Sequence, residues 1–184
     1  MNARALVRPI RIEDIPALPT LDLRYDASRV LAIAREETED GYIFSLRWLQ
    51  RPTTVELYAT YGEERLRGAI ERVDLLLVAE VDRAPVGLLM VMLPKWTDAA
   101  EITDLAVDAA ARRCGAGRAL VDGAVEFARA RGLRALWVEP RSDNAGAIEF
   151  YRSLGFRLSG FNDRMYSNAD DAPGRTTLFM HLEV

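Results

Sequence analysis

The spacing of hydrophobic and polar positions changes several times along the chain, and each change marks an element. Ala5 to Ile10 reads as a first strand, with Asp14 ahead of a short helix broken by Pro16 and Pro19. Ala27 to Glu39 has a helical look, Tyr42 to Leu49 reads as a strand or an apolar turn, and Pro52 resets the backbone. Thr54 to Val73 carries Tyr58, Tyr61, Leu66 and Ile70 among charges, which predicts a helix or two. Asp74 to Val81 and Val86 to Leu93 are apolar runs joined by Asp82-Arg-Ala-Pro85, a β-hairpin with one heavily buried arm. Glu101 to Val107 is the next strand. Ala116 to Arg131 repeats apolar residues at Leu120, Ala124, Phe127 and Ala128, and Gly132 stands where a helix C-cap needs glycine. Leu133 to Val138 is a strand and Asn144 to Leu154 a helix stopped by Gly155. Phe156 to Ser167 and Thr176 to Val184 are two last strands around a polar loop, Asn168 to Arg175.

This order predicts one α/β domain with a mixed sheet. A dinucleotide fold fits poorly, because the glycine-containing loop follows three strands instead of opening the first βαβ unit. The 184 residues suffice for one domain with a substantial core, and 49% hydrophobic with 28% charged residues argues against disorder. A net charge of −4 makes a nucleic-acid footprint a poor expectation. The single cysteine, Cys114, excludes an intramolecular disulfide, and the single histidine, His181, disfavours a histidine-built zinc site or a Ser-His triad. No metal is expected. The first residues lack the apolar region of a signal peptide, and the longest apolar run, Val86 to Leu93, is too short to span a bilayer, so a cytoplasmic location is expected.

Candidate chemistry concentrates between Glu101 and Leu120. Arg112-Arg113-Cys114-Gly115-Ala116-Gly117-Arg118 lies where a strand gives way to a helix. Its glycines permit close backbone approach, so consecutive N–H groups can line an anion site at the positive end of the helix dipole. The three arginines add cations suited to phosphate. A pyrophosphate satisfies all of this. In the preceding strand, alternation puts Glu101, Thr103, Leu105 and Val107 on one face and Ile102, Asp104, Ala106 and Asp108 on the other. Polar residues on both faces of a central strand imply that one set lines a cleft.

These residues resemble the GCN5-related N-acetyltransferases (GNAT). Arg112, Gly115 and Gly117 match the family's Arg/Gln-x-x-Gly-x-Gly/Ala acetyl-CoA motif, and Leu105-Ala106-Val107 looks like the strand that pairs with pantetheine. Asn144-Ala-Gly-Ala-Ile-Glu-Phe-Tyr151-Arg-Ser-Leu-Gly-Phe156 resembles the family's second motif, in the right order after one helix and one strand. The segment Gly155 to Asn168 looks like the streptothricin acetyltransferase branch, as does the Tyr25 to Tyr61 region more weakly. That branch usually carries Glu-Asp in its central strand, where this chain has Thr103-Asp104.

The resemblance implies a mostly antiparallel sheet flanked by helices, with a splayed central strand pair. Residues 1–73 would form a variable acceptor-side region, 74–160 the acetyl-CoA-binding core and 161–184 the C-terminal strands. It implies acetyl-CoA as donor, held by Leu105, Ala106, Val107, by the loop residues Arg112, Arg113, Cys114, Gly115, Ala116, Gly117, Arg118 and Ala119, and by Asn144 and Tyr151. The implied reaction is direct attack of a primary amine on the thioester, with the Leu105 amide as oxyanion donor and no role for Cys114 as nucleophile. Glu101 and Asp104 compete for the role of base, and Tyr151 is implied as general acid. The acceptor is expected to be a small cationic amine of the streptothricin kind; alternatives are a protein N-terminus or lysine, or a non-catalytic acyl-CoA-binding module. Neither nucleic acid nor membrane is an expected partner, and a homodimer stays open. Trp48, Trp96 and Trp137 are expected in the core or a cleft wall, and Glu36 to Asp40 at a solvated helix end.

Overall fold

The computed structural model describes residues 5–52, 55–58, 61–165 and 176–184. In chain order its strands are β1 (Leu6–Pro9), β2 (Arg24–Asp26), β3 (Arg29–Thr38), β4 (Gly41–Gln50), β5 (Val55–Leu57), β6 (Leu75–Val81), β7 (Ala84–Met92), β8 (Ala99–Val107), β9 (Ala135–Val138), β10 (Arg157–Asn162) and β11 (Thr177–Glu183). Its helices are α1 (Glu63–Arg72), α2 (Ala116–Ala130) and α3 (Ala145–Ser153), with short 3-10 turns at Ile12–Asp14, Leu18–Thr20 and Ala109–Ala111. The chain divides into two compact units, residues 1–24, 57–138 and 181–184 in the first and 25–56 and 139–180 in the second.

In the first unit the strands lie in the order β1-β6-β7-β8-β9, antiparallel except for the parallel β8–β9 pair. β6 and β7 are apolar on both faces because both faces are covered. On one, Leu76, Val78, Leu88, Met90 and Ala106 pack with Leu66 and Ala69 of α1, with Tyr61, and with Ile15 and Leu18 of the N-terminal turns. On the other lies α2, whose Leu120, Val121, Ala124 and Ala128 are buried. The helix approaches closely at Gly123, where a Cβ would stand 2.7 Å from Leu77 Cδ1. Asp82 and Arg83, with φ of 50° and 66°, make the tight β6–β7 turn. Glu63 and Glu64 open α1 and Arg72 closes it, each matching the helix dipole. Arg8 is clamped between Asp14 and Glu80 at 2.8 Å each, tying β1 to the first turn and to β6.

The second unit departs most from expectation. Residues 29–38, read as helical, form β3, which pairs with β4 through ten residues from Arg29↔Gln50 to Thr38↔Gly41. Alanine, glutamate and arginine favour a helix locally, but Tyr42, Ile43, Phe44, Leu46 and Trp48 make β4 a strong strand that needs a partner. Arg29 lies 4.5 Å from the Trp48 ring and Arg35 5.8 Å from that of Tyr42. Glu39 and Asp40 therefore sit at a hairpin tip, not a helix end. Residues 55–57, expected within a helix, form β5 paired with β2. β10 and β11 are neighbours, and the Leu31 N–H donates to Ser142 O at 2.8 Å ahead of α3. The expected loop Asn168 to Arg175 lies outside the described residues. Trp96, expected in the core or a cleft wall, is outside the core at 80% exposed.

Candidate active site

β9 follows β8 only from Ala99↔Ala135 to Ile102↔Val138, while β8 runs on to Val107. The pair is therefore open beyond Ile102. Antiparallel geometry decides which backbone groups face the opening. The Asp108 N–H donates to Val86 O at 2.8 Å, so Ala106 also turns to β7 while Leu105 and Val107 turn to the vacated edge. Two side chains meet them there. The Tyr58 hydroxyl lies near the Leu105 backbone, and Arg112 Nε donates to Val107 O at 3.2 Å.

β8 also contains a bulge. Met90 faces Asp104 and Val91 faces Ile102, which leaves Thr103 as the extra residue. Partners across a ladder share a face, so Asp104 lies with Met90 and Glu101 with Met92. The two methionines are two residues apart and share a face. Glu101 and Asp104 thus lie on the same side of β8, not on opposite sides as strict alternation requires.

Asp104 anchors a polar cluster on that face. Tyr61 Oη donates to Asp104 Oδ1 at 2.8 Å, and Arg65 of α1 reaches the same oxygen at 3.4 Å with its guanidinium 5.0 Å from the Tyr61 ring centre. Tyr58 and Thr103 also lie close to the Asp104 carboxylate, and the two phenols are near one another. The Asp104 side chain is only 12% exposed. Burial pushes its carboxyl above the ordinary value, against the hydrogen bonds from Tyr61, Thr103 and Tyr58 and the charge of Arg65, all of which favour the carboxylate. Burial also raises both phenols, and nearby Asp104 raises them further, so both hydroxyls keep their protons.

At the other end of β8 the chain forms the loop into α2. Arg113 and Gly115 have φ of 63° and 93°, two left-handed residues bracketing Cys114. Such a conformation turns successive N–H groups inward as an anion nest. No side chain caps the helix at Gly115, and its first bond runs from the Ala119 N–H to Gly115 O at 3.0 Å. Ala116, Gly117 and Arg118 therefore offer N–H groups that have no acceptor within the helix. Arg113 and Arg118 are exposed beside them. The Cys114 thiol donates to Ala111 O at 2.7 Å, a structural contact within the loop.

In the second unit Asn144 caps α3, its Oδ1 accepting from the Ala147 N–H at 3.0 Å. Tyr151 is 7% exposed and its ring packs at 5.3 Å from Phe150 and 5.2 Å from Phe156.

Residues 43–156 match the Acetyltransferase (GNAT) family. The chain belongs to this family. Streptothricin acetyltransferase of Streptomyces lavendulae is 31% identical over 182 residues, 95% of this chain and 93% of that protein. The crystal structure of nourseothricin acetyltransferase is similar with a TM-score of 0.79 at 28% identity, over 97% of this chain and 98% of that one. A Bacillus anthracis str. Ames protein solved in complex with acetyl coenzyme A has the same fold, with a TM-score of 0.79 at 18% identity over 98% and 99% of the two chains.

This GNAT protein is accordingly an N-acetyltransferase. Its mixed, mostly antiparallel sheet flanked by helices is the expected architecture. Among the described residues no helix is long and apolar enough to cross a membrane. The structure brings Glu101, Asp104 and Leu105 together on β8, with Arg112 to Gly115 in the loop and Ala116 to Ala119 in the first turn of α2 that follows it. Arg112 differs from expectation in that its side chain folds back onto Val107. The residues that sequence reasoning missed are Tyr58, Tyr61 and Arg65. By sequence pattern the two tyrosines are apolar positions of a helix, and only their spacing of three just ahead of Arg65 sets them apart.

Proposed function

We propose that this N-acetyltransferase moves the acetyl group directly from acetyl-CoA to a primary amine of a small cationic acceptor of the streptothricin type. The observation that carries the reading is the likeness to streptothricin acetyltransferase over 95% of the chain, acceptor-side residues included. The net charge of −4 suits a cationic acceptor.

In this reading the pyrophosphate of acetyl-CoA lies on the N–H groups from Cys114 to Arg118, aided by the Arg113 and Arg118 side chains. The left-handed backbone at Arg113 and Gly115 supports it. The pantetheine runs along the open edge of β8 against the main chain of Leu105 and Val107, and Arg112 leaves Val107 O as it arrives. The Leu105 N–H then polarises the thioester carbonyl and stabilises the oxyanion.

The attacking amine must be neutral. An aliphatic ammonium with a pKa near ~10.4 is about 0.04% neutral at pH 7, a deficit of roughly 4–5 kcal/mol. Asp104 takes that proton: burial has raised its proton affinity toward the working pH. Glu101, on the same face, adds negative charge that favours binding of the cation. Tyr151 donates a proton to the departing CoA thiolate, and Asn144 acts chiefly by fixing the start of α3.

Thiol release from acetyl-CoA across a panel of amines tests this function. Release with streptothricin-type amines and none with peptide N-termini or lysine side chains is expected. Release confined to peptides would replace the acceptor; none with any amine would overturn the reading.

A further inference from the structure

We propose that Arg65 is a positioning residue that keeps Asp104 covered in the free protein: its guanidinium holds the place of the acceptor's ammonium, which displaces it on binding. The inference rests on the acetyl-transfer reading above and deepens it, since such an exchange favours a strongly basic amine at that same site.

Three geometric observations carry it. Arg65 Nη2 and Tyr61 Oη meet the same oxygen, Asp104 Oδ1, at 3.4 Å and 2.8 Å. An N–H donor in a good hydrogen bond comes within about 3.2 Å, so Arg65 is the looser of the two. Second, Tyr61 is 2% exposed and sealed in the core, while half of the Arg65 side-chain surface is exposed and the Asp104 side chain is only 12% exposed. Arg65 is thus the outer partner of the carboxylate and, among the described residues, its one ion-pair partner. Third, the guanidinium lies 5.0 Å from the Tyr61 ring centre, and Leu66 and Ala69 bury the inner face of α1. The side chain can therefore leave Oδ1 while the helix stays docked and the ring still attracts the cation.

The chemistry asks for such a departure. Two donors fill the lone pairs of Oδ1, and a guanidinium beside a carboxylate opposes its protonation. An arriving ammonium replaces one cation by another, so the buried charge stays paired. A neutral solute would leave it unpaired, which is costly. Once Arg65 has moved, the ammonium N–H bond breaks as Asp104 gains the proton. The amine is left neutral, Asp104 is a carboxylic acid and Arg65 keeps its charge. The titratable and charged groups on this side of Asp104 are Arg65 from α1, Tyr61 from the segment before it, Tyr58 from the segment after β5, and Glu101 from β8.

Steady-state kinetics of Arg65→Gln with a streptothricin-type amine, followed from about pH 5 to pH 9, test the exchange. The acid limb of kcat/KM reports the free protein and that of kcat the complex. In the free protein Arg65 favours the ionised carboxylate, so its removal raises the proton affinity of Asp104 and moves the acid limb of kcat/KM to higher pH. In the complex Arg65 has already left, so the acid limb of kcat stays at its wild-type position. Above both limbs KM for the amine is expected to fall about 3–10-fold, with kcat and acetyl-CoA Kd each within about twofold of wild type. A common shift of both limbs would show Arg65 on Asp104 throughout turnover and overturn the inference. An unmoved limb of kcat/KM, an unchanged or raised KM, or a loss of kcat would overturn it too, while wild-type turnover upholds acetyl transfer. A wild-type protein that acetylates no amine would overturn both.

Discussion

Glu101 and Asp104 stand on the same face of β8 although they are three positions apart, because Thr103 is bulged out between Met90's partner and Val91's. One extra residue therefore converts two carboxylates that would flank the sheet into a pair on one side of it. They are not equivalent. Asp104 is buried among two phenols and a guanidinium, and burial has raised its proton affinity.

Asp104→Asn is accordingly expected to lower kcat by roughly 10²–10³-fold at neutral pH, and Glu101→Gln to act mainly on KM, by less than about tenfold. Steady-state kinetics on one amine measure both. Stability carries the opposite sign. A carboxyl whose folded-state pKa is raised contributes stability below its unfolded value and loses it as pH rises through the folded value. The Tm of Asp104→Asn should therefore be no lower than wild type at pH 7 and fall relative to it in acid.

Gly115 adopts φ of 93° with open space where a Cβ would stand, so a side chain there strains the backbone without a clash. Gly115→Val is expected to cost about 1–3 kcal/mol of stability and to weaken acetyl-CoA binding at least about tenfold as the nest distorts. Calorimetric titration and a melt read the two effects. Unchanged affinity would remove the loop from the phosphate role.

Tyr151→Phe keeps the ring that packs against Phe150 and Phe156 and removes only the hydroxyl. It is expected to lower kcat roughly 10²-fold while acetyl-CoA Kd stays within about twofold. Thiol release and direct titration of the same preparation check this, and a wild-type kcat would end the general-acid assignment.

Asp14 binds Arg8 at 2.8 Å and accepts from the Arg11 N–H at 2.7 Å, with 5% of its side chain exposed. The Arg8 hydrogen bond holds its carboxyl below the ordinary range, against the effect of burial. The stability it contributes is present above the unfolded carboxylate value near ~4 and lost as pH falls through the lower folded value. Asp14→Asn should destabilise by about 3 kcal/mol at pH 7, and that difference should shrink in acid. Urea melts at both pH values measure it.

The sequence made the stretch from residue 74 to 156 legible because several signals agree there: apolar strands buried on both faces, an amphipathic helix ending at Gly132, and two motifs in the right order. The β3–β4 hairpin was illegible because Ala, Arg and Glu favour a helix intrinsically and only β4, across the turn, makes them a strand. Thr103 gave no sign of a bulge, since either face assignment of β8 suits a strand that is polar on both sides. Tyr58 and Tyr61 were hidden by their aromatic rings. What makes them chemical is contact with a carboxylate more than forty positions away, a relation that no local pattern contains.

A single competition between acceptors measures which amine the protein acetylates. The protein, acetyl-CoA, a streptothricin-type amine and a peptide with a free N-terminus and a lysine are mixed together, and the products are weighed by mass spectrometry. Acetylation of the streptothricin-type amine on one primary amine, with kcat/KM at least about 10²-fold above that for the peptide, is the expected result. Preferential acetylation of the peptide would contradict the account.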